Sequence, residues 1–166
     1  MTEPNERYLM KPRVYLETTI ASYLTGWPSR DLVTAAHQQI TREWWQNRRE
    51  DFDLFVSQIV LREAARGDRE AAAQRLQVLE GLPSLEQTEE AIELAGELVG
   101  ALPLPRRAEL DALHIALAVV HGMDYLLTWN CTHIANAALR NQIEAICGAR
   151  GYETPVICTP EELLEA

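Results

Sequence analysis

Residues 111–120 read Asp111-Ala-Leu-His-Ile-Ala-Leu-Ala-Val-Val120, and their reading decides the fold. Behind Asp111 come nine residues with no formally charged side chain when His114 is neutral. The surrounding pattern predicts a helix from near Arg107 to His121, ended by Gly122. A helix that is apolar on nearly every face offers no side to water, so it packs between other layers. The carboxylate at its head is then partly desolvated, which is costly unless a hydrogen bond or a cation compensates.

Outward from this helix, short β-rich runs alternate with helical patterns. Downstream, Asp124-Tyr-Leu-Leu-Thr-Trp-Asn130 reads as a strand and a helix follows from about Ile134 to Ala149. Pro155-Val-Ile-Cys158 is a last strand, and Pro160 opens a terminal helix. Upstream, Pro103 and Pro105 stop a helix running from about Glu89 to Leu102, and Leu85-Glu-Gln-Thr88 is a weak strand. Asp68 starts a helix that ends at Gly81, and Gly67 breaks the helix carrying Glu63. Ser57 caps that helix at the end of the strand Asp53-Leu-Phe-Val-Ser57. Leu32, Ala36, Ile40 and Trp44 recur at helical spacing behind a cap at Ser29 or Asp31. The first strand, Arg13-Val-Tyr-Leu-Glu-Thr-Thr19, ends at Glu17 and two threonines, and a short helix from Thr19 to Leu24 closes at Gly26.

Strands alternating with helices imply right-handed crossovers and a mainly parallel sheet of four to five strands, flanked by helices in an α/β three-layer sandwich. Ligand sites in such folds form at the carboxyl ends of the strands. Residues 1–12 read as a polar tail and 13–166 as one domain, with no repeat, linker or low-complexity segment.

Composition narrows the function classes. A hydrophobic fraction of 47% and a charged fraction of 24% are ordinary for a globular chain. No apolar run approaches the ~20 residues of a membrane span. The polar start Met1-Thr-Glu-Pro lacks the apolar core of a signal peptide. An odd count of cysteines (Cys131, Cys147, Cys158) argues against a disulfide framework, so a cytoplasmic location is expected. A net charge of -10 disfavours an extended nucleic-acid surface but suits divalent cations and a basic partner.

Glu17, Glu63, Asp111 and the amide Asn130 all fall near strand ends or on the helices that follow them. Carboxylates that converge repel one another, and a hard cation such as Mg²⁺ or Mn²⁺ relieves the repulsion. Such an ion can lower the pKa of a water and offset charge building on a phosphate, which is the chemistry of phosphodiester hydrolysis.

The motifs carry a resemblance. Val14-Tyr-Leu-Glu-Thr-Thr-Ile-Ala-Ser-Tyr-Leu24 resembles the opening strand and turn of PIN domains, and Ser57-Gln-Ile-Val-Leu-Arg-Glu63 resembles their second acidic segment. Asp111-Ala-Leu-His-Ile-Ala-Leu-Ala118 is similar to the third, and Asp124 to Asn136 to the strand and turn of the fourth. The order holds from about residue 13 to 159. The resemblance, to VapC-type toxins in particular, implies an endoribonuclease with its metal on Glu17, Glu63 and Asp111. It adds Asn130 as a further catalytic position, with Thr18 or Thr19 orienting a carboxylate or water. It further implies an RNA substrate, a homodimer, and a small antitoxin protein that blocks the acidic cleft. Two positions depart from the pattern: Glu17 stands where Asp is usual, and Asn130 is neutral where Asp is common.

Blander readings compete. His114 suits a hydrogen-bonded core histidine, Asn130 can cap the following helix, and Asp68 and Asp124 suit a cap and a turn. Cys131-Thr-His133 lacks the paired spacing of a zinc site. Trp44 and Trp45, with Arg48 and Arg49, suit an RNA clamp, although helical spacing sends at least one Trp to the core or a dimer interface. A non-catalytic PIN-like module that binds RNA or protein is the alternative function. A phosphatase is a remoter rival, because the chain has neither a P-loop nor a Gly-x-Gly-x-x-Gly turn.

Overall fold

The computed structural model describes residues 10–165, so residues 1–9 of the expected tail lie outside it. Five strands form one parallel sheet: β1 (Arg13–Leu16), β2 (Asp53–Ser57), β3 (Ser84–Leu85), β4 (Tyr125–Leu127) and β5 (Val156–Cys158). Their order is β3-β2-β1-β4-β5. Seven helices connect them: α1 (Thr18–Thr25), α2 (Leu32–Arg48), α3 (Gln58–Ala64), α4 (Arg69–Leu79), α5 (Glu89–Ala101), α6 (Glu109–Val120) and α7 (Ala137–Ala149).

The strand order dictates the layers. From β1 the chain steps outward to β2 and β3, crosses back, and steps the opposite way from β4 to β5. Right-handed crossovers then put α1 to α4 on one face and α5 to α7 on the other. The packing agrees, since α1 touches α2, α3 and α4, while α5 lies along α6 and α7. β1 and β4 are neighbours at the centre although the chain leaves them in opposite directions, which makes the gap between their carboxyl ends the place for a ligand.

Local chemistry sets most boundaries. Asp31, Ser57 and Asp68 accept from Thr34 N, Val60 N and Ala71 N and so cap α2, α3 and α4. Gly67 turns the chain between α3 and α4 with φ +84°, a conformation that L side chains rarely adopt. The face-poor helix of the sequence is α6, whose residues Ile115 to Val119 are all buried. Trp44 is wholly buried and stacks on Phe52 at 5.8 Å, so it belongs to the core. Trp45 stays half-buried with the Arg49 guanidinium 4.8 Å over its ring.

Several expectations shift, among them the third strand, which is Ser84–Leu85 rather than Leu85–Thr88, and the helix expected from about Ile134, which starts at Ala137. The first strand stops at Leu16, because Glu17 turns its side chain to cap α1. The fourth stops at Leu127 rather than Asn130: Thr128 N still donates to Cys158 O, but Trp129 N turns away to the Thr19 hydroxyl. Pro160 opens consecutive i→i+3 turns in place of a helix, and Leu163 tucks into the core there. No helix among the described residues is long and apolar enough to cross a membrane.

Burial separates the thiols. Cys131 is exposed, whereas Cys147 and Cys158 are buried, and burial pushes the Cys158 thiol up to about 12. The thiolate is the reactive form. In native protein at about pH 8, Ellman's reagent is therefore expected to label Cys131 alone, and the other two only in denaturant.

Candidate metal centre

Glu17 closes β1 and is 4% exposed. Its Oε1 accepts from the Thr19 hydroxyl at 2.5 Å and the Thr128 hydroxyl at 2.7 Å, and its Oε2 accepts from Thr19 N at 3.1 Å. The Glu17 backbone N–H extends the β1–β4 ladder by donating to Leu127 O at 3.0 Å. The side chain thus reaches across the central gap to the first residue beyond β4.

Glu63, one residue from the end of α3, meets the same gap from the neighbouring strand. Its Oε1 lies 2.7 Å from the Thr18 hydroxyl and 2.6 Å from His114 Nε2. His114 is completely buried on α6, and its Nδ1 lies 2.7 Å from the Tyr15 hydroxyl, itself 2.7 Å from Ser57 Oγ. Val60 N donates to that Ser57 oxygen. With the proton on Nε2, the donors line up in one direction: Val60 to Ser57, Ser57 to Tyr15, Tyr15 to His114, and His114 to Glu63. Burial raises the Tyr15 pKa, which keeps the phenol a donor. Burial also acts to raise Glu63, but the hydrogen bonds from His114 and the Thr18 hydroxyl, with Arg66 nearby, outweigh it and hold the carboxyl below its ordinary value.

Ligand atoms of Glu17, Glu63 and His114 lie within 4.8 Å of one another. Three of the roughly four acceptor positions on Glu17 are used, which leaves one on Oε2. On Glu63 both bonds fall on Oε1, and Oε2 accepts none from the described residues. Both His114 nitrogens are engaged, so its part is to hold Glu63. Two adjacent carboxylates with open oxygens fit a hard divalent cation.

Asp111 stands apart from that group. It is the third residue of α6, one turn before His114 and on the same helix face. Its Oδ2 pairs with His133 Nδ1 at 2.9 Å, a partner that the sequence did not suggest. Asn130 does not cap α7, which Asn136 caps. Instead its Oδ1 accepts from His133 N at 3.0 Å, and its own N–H donates to Thr128 Oγ1 at 2.9 Å. Hydrogen bonds therefore link Asp111, His133, Asn130, Thr128 and Glu17 in sequence. Thr18 binds Glu63 and Thr19 binds Glu17, so both threonines contact a carboxylate.

Among the described hollows, one of about 480 Å³ is lined by Trp45, Arg49, Asp53 and Pro83. It lies at the start of β2, the end of the strand away from Ser57 and the carboxylates.

Fold and site together define a class: a parallel α/β domain that gathers acidic side chains at the carboxyl edge of its sheet. The chain belongs to the PIN-domain family, whose family model matches residues 14–130. Its structure is similar to that of VapC20 from Mycobacterium tuberculosis, a toxin that cleaves the sarcin-ricin loop. That likeness has 16% identity and a TM-score of 0.55, and covers 84% of this chain and 95% of the toxin. VapBC2 from Rickettsia felis, solved with a promoter DNA fragment, aligns at 15% identity and a TM-score of 0.49 over 89% of this chain and 98% of the other. No curated protein matches the chain in sequence.

Tyr15→Phe tests the buried relay. It leaves the buried His114 Nδ1 without a donor and the Ser57 O–H without its acceptor. A loss of about 1–3 kcal/mol in urea unfolding is expected, read as a lower midpoint at unchanged m value.

Proposed function

We propose that the chain is a divalent-metal-dependent endoribonuclease and the toxin of a type II toxin–antitoxin pair. The observation that carries this reading is the pair of carboxylates, Glu17 and Glu63, brought together at the carboxyl end of the central strands. The PIN family match and the fold shared with a toxin that cleaves the sarcin-ricin loop support it. Glu17 and Glu63 would hold the ion, Mg²⁺ or Mn²⁺, while Asp111, the third expected ligand, is paired with His133. A cation there supplies an acidified water and offsets charge on the phosphate. The chain's own residues do the positioning: Thr19 and Thr128 fix Glu17, while Thr18 and His114 fix Glu63.

The assembly follows the same reading: one domain over residues 13–166 acting in the cytoplasm, paired as a homodimer, and silenced by a small basic antitoxin. The net charge of -10 favours a basic inhibitor over an acidic one. One observation favours the non-catalytic alternative: Asp111 is engaged by His133 rather than open beside the other two carboxylates.

Purified protein with single-stranded and structured RNA, in Mn²⁺, Mg²⁺ or chelator, separates the readings. Cleavage is expected with metal and not with chelator. Glu17→Gln and Glu63→Gln, which keep shape and remove charge, are each expected to lower the rate by about 100-fold or more and to weaken Mn²⁺ binding in calorimetry. RNA binding without cleavage under any metal would establish the alternative.

A further inference from the structure

Beside the carboxylates, on the side toward α2, three rings cluster. His37 lies flat on Trp129, centroids 3.9 Å apart and planes 13° apart. Tyr23 leans against both, 5.9 Å from Trp129 and 6.1 Å from His37. Trp129 is the anchored member: it is 8% exposed, its Nε1 donates to Thr41 Oγ1 at 2.8 Å, and its backbone N donates to Thr19 Oγ1 at 2.8 Å. That same Thr19 hydroxyl donates to Glu17, so the stack is one residue removed from the carboxylate.

A cluster built only for packing would bury its rings and satisfy their polar atoms. Trp129 meets that description, but the other two rings do not. His37 and Tyr23 are half-buried, and neither the His37 ring nitrogens nor the Tyr23 hydroxyl makes a hydrogen bond to the described residues. The cluster thus keeps partly exposed rings with unused donors and acceptors, the kind of surface on which proteins seat an unstacked base of single-stranded RNA. Asp31 lies close enough to interact electrostatically with His37, which suits the uncharged plane of a base better than a phosphate.

We propose that His37, backed by Trp129 and flanked by Tyr23, is a nucleobase subsite that seats a base of single-stranded RNA next to the carboxylate pair. This rests on the ribonuclease reading and deepens it by naming where the substrate is gripped. The base stacks on His37, and the imidazole nitrogens and the Tyr23 hydroxyl bond its edge.

The test compares the full-length protein with His37→Ala and His37→Phe. Anisotropy of a 5′-labelled single-stranded oligoribonucleotide, in chelator, reads binding apart from cleavage, and assays in Mn²⁺ give KM and kcat. His37→Ala is expected to weaken binding and raise KM by about 5- to 100-fold, the range of one lost base stack, with kcat little changed. His37→Phe, which keeps the stack, is expected to restore most of the binding. Unchanged binding and KM in His37→Ala, with an active wild type, would overturn the subsite and leave the ribonuclease reading standing. So would a fall in kcat alone, which would show that His37 merely braces Trp129 and Thr19. A wild type that neither binds nor cuts any RNA overturns both readings.

Discussion

A carboxylate 4% exposed has to be answered by donors, and the answer given to Glu17 organises the centre of the molecule. An unpaired ion buried to that degree costs several kcal/mol. Three hydrogen bonds offset that cost, two from Thr19 and one from Thr128. Each makes a structural demand. Thr19 must sit in the first turn of α1, so β1 has to stop at Leu16. Thr128 must lie one residue past β4, so β4 has to run beside β1 with Leu127 opposite Leu16. The central strand pair and the acidic site are therefore one constraint, met once.

The two departures from the PIN pattern make sense within it. Glu17 is longer than aspartate, and its carboxylate spans from its own helix cap to the Thr128 hydroxyl across the gap. Asn130 is neutral, but its task here needs only an acceptor: Oδ1 receives the His133 N–H, and the placed His133 holds Asp111. An aspartate would accept the same bond and add a negative charge beside Asp111. With the amide, the turn is kept and the acidic cluster is one charge lighter.

Elements were legible in the sequence wherever their causes are local. The caps Asp31, Ser57 and Asp68 lie within three residues of the N–H groups they accept from, so Ser57 and Asp68 could be read directly and Asp31 as one of two candidates with Ser29. The buried α6 was legible because an all-round apolar helix has few other places to go. The partners of the carboxylates were not legible. Thr128 bonds Glu17 across 111 positions, Tyr15 bonds His114 across 99, and His133 bonds Asp111 across 22. A threonine after a strand and a tyrosine within one carry no mark of such roles, because only the closed sheet creates them. Glu17 and Glu63 come together as the motif order implied, while Asp111 lies outside their group. It is paired with the His133 ring instead, whereas Cys131-Thr-His133 had suggested zinc rather than a carboxylate partner.

From sequence, relief of repulsion among the acids fell to a cation alone. The folded chain divides that task. Five donors already face the two carboxylates: the Thr19 N–H and hydroxyl and the Thr128 hydroxyl on Glu17, then the Thr18 hydroxyl and His114 on Glu63. The relay from Ser57 through Tyr15 to His114 aims the last of these and ties β1, β2, α3 and α6 to one oxygen of Glu63. A site satisfied in this way keeps its shape without an ion, because no bare pair of charges pushes it open. The acceptor positions left open, one on Glu17 Oε2 and those of Glu63 Oε2, are then held in place by these bonds, which is the preorganisation that the proposed metal-assisted hydrolysis would need.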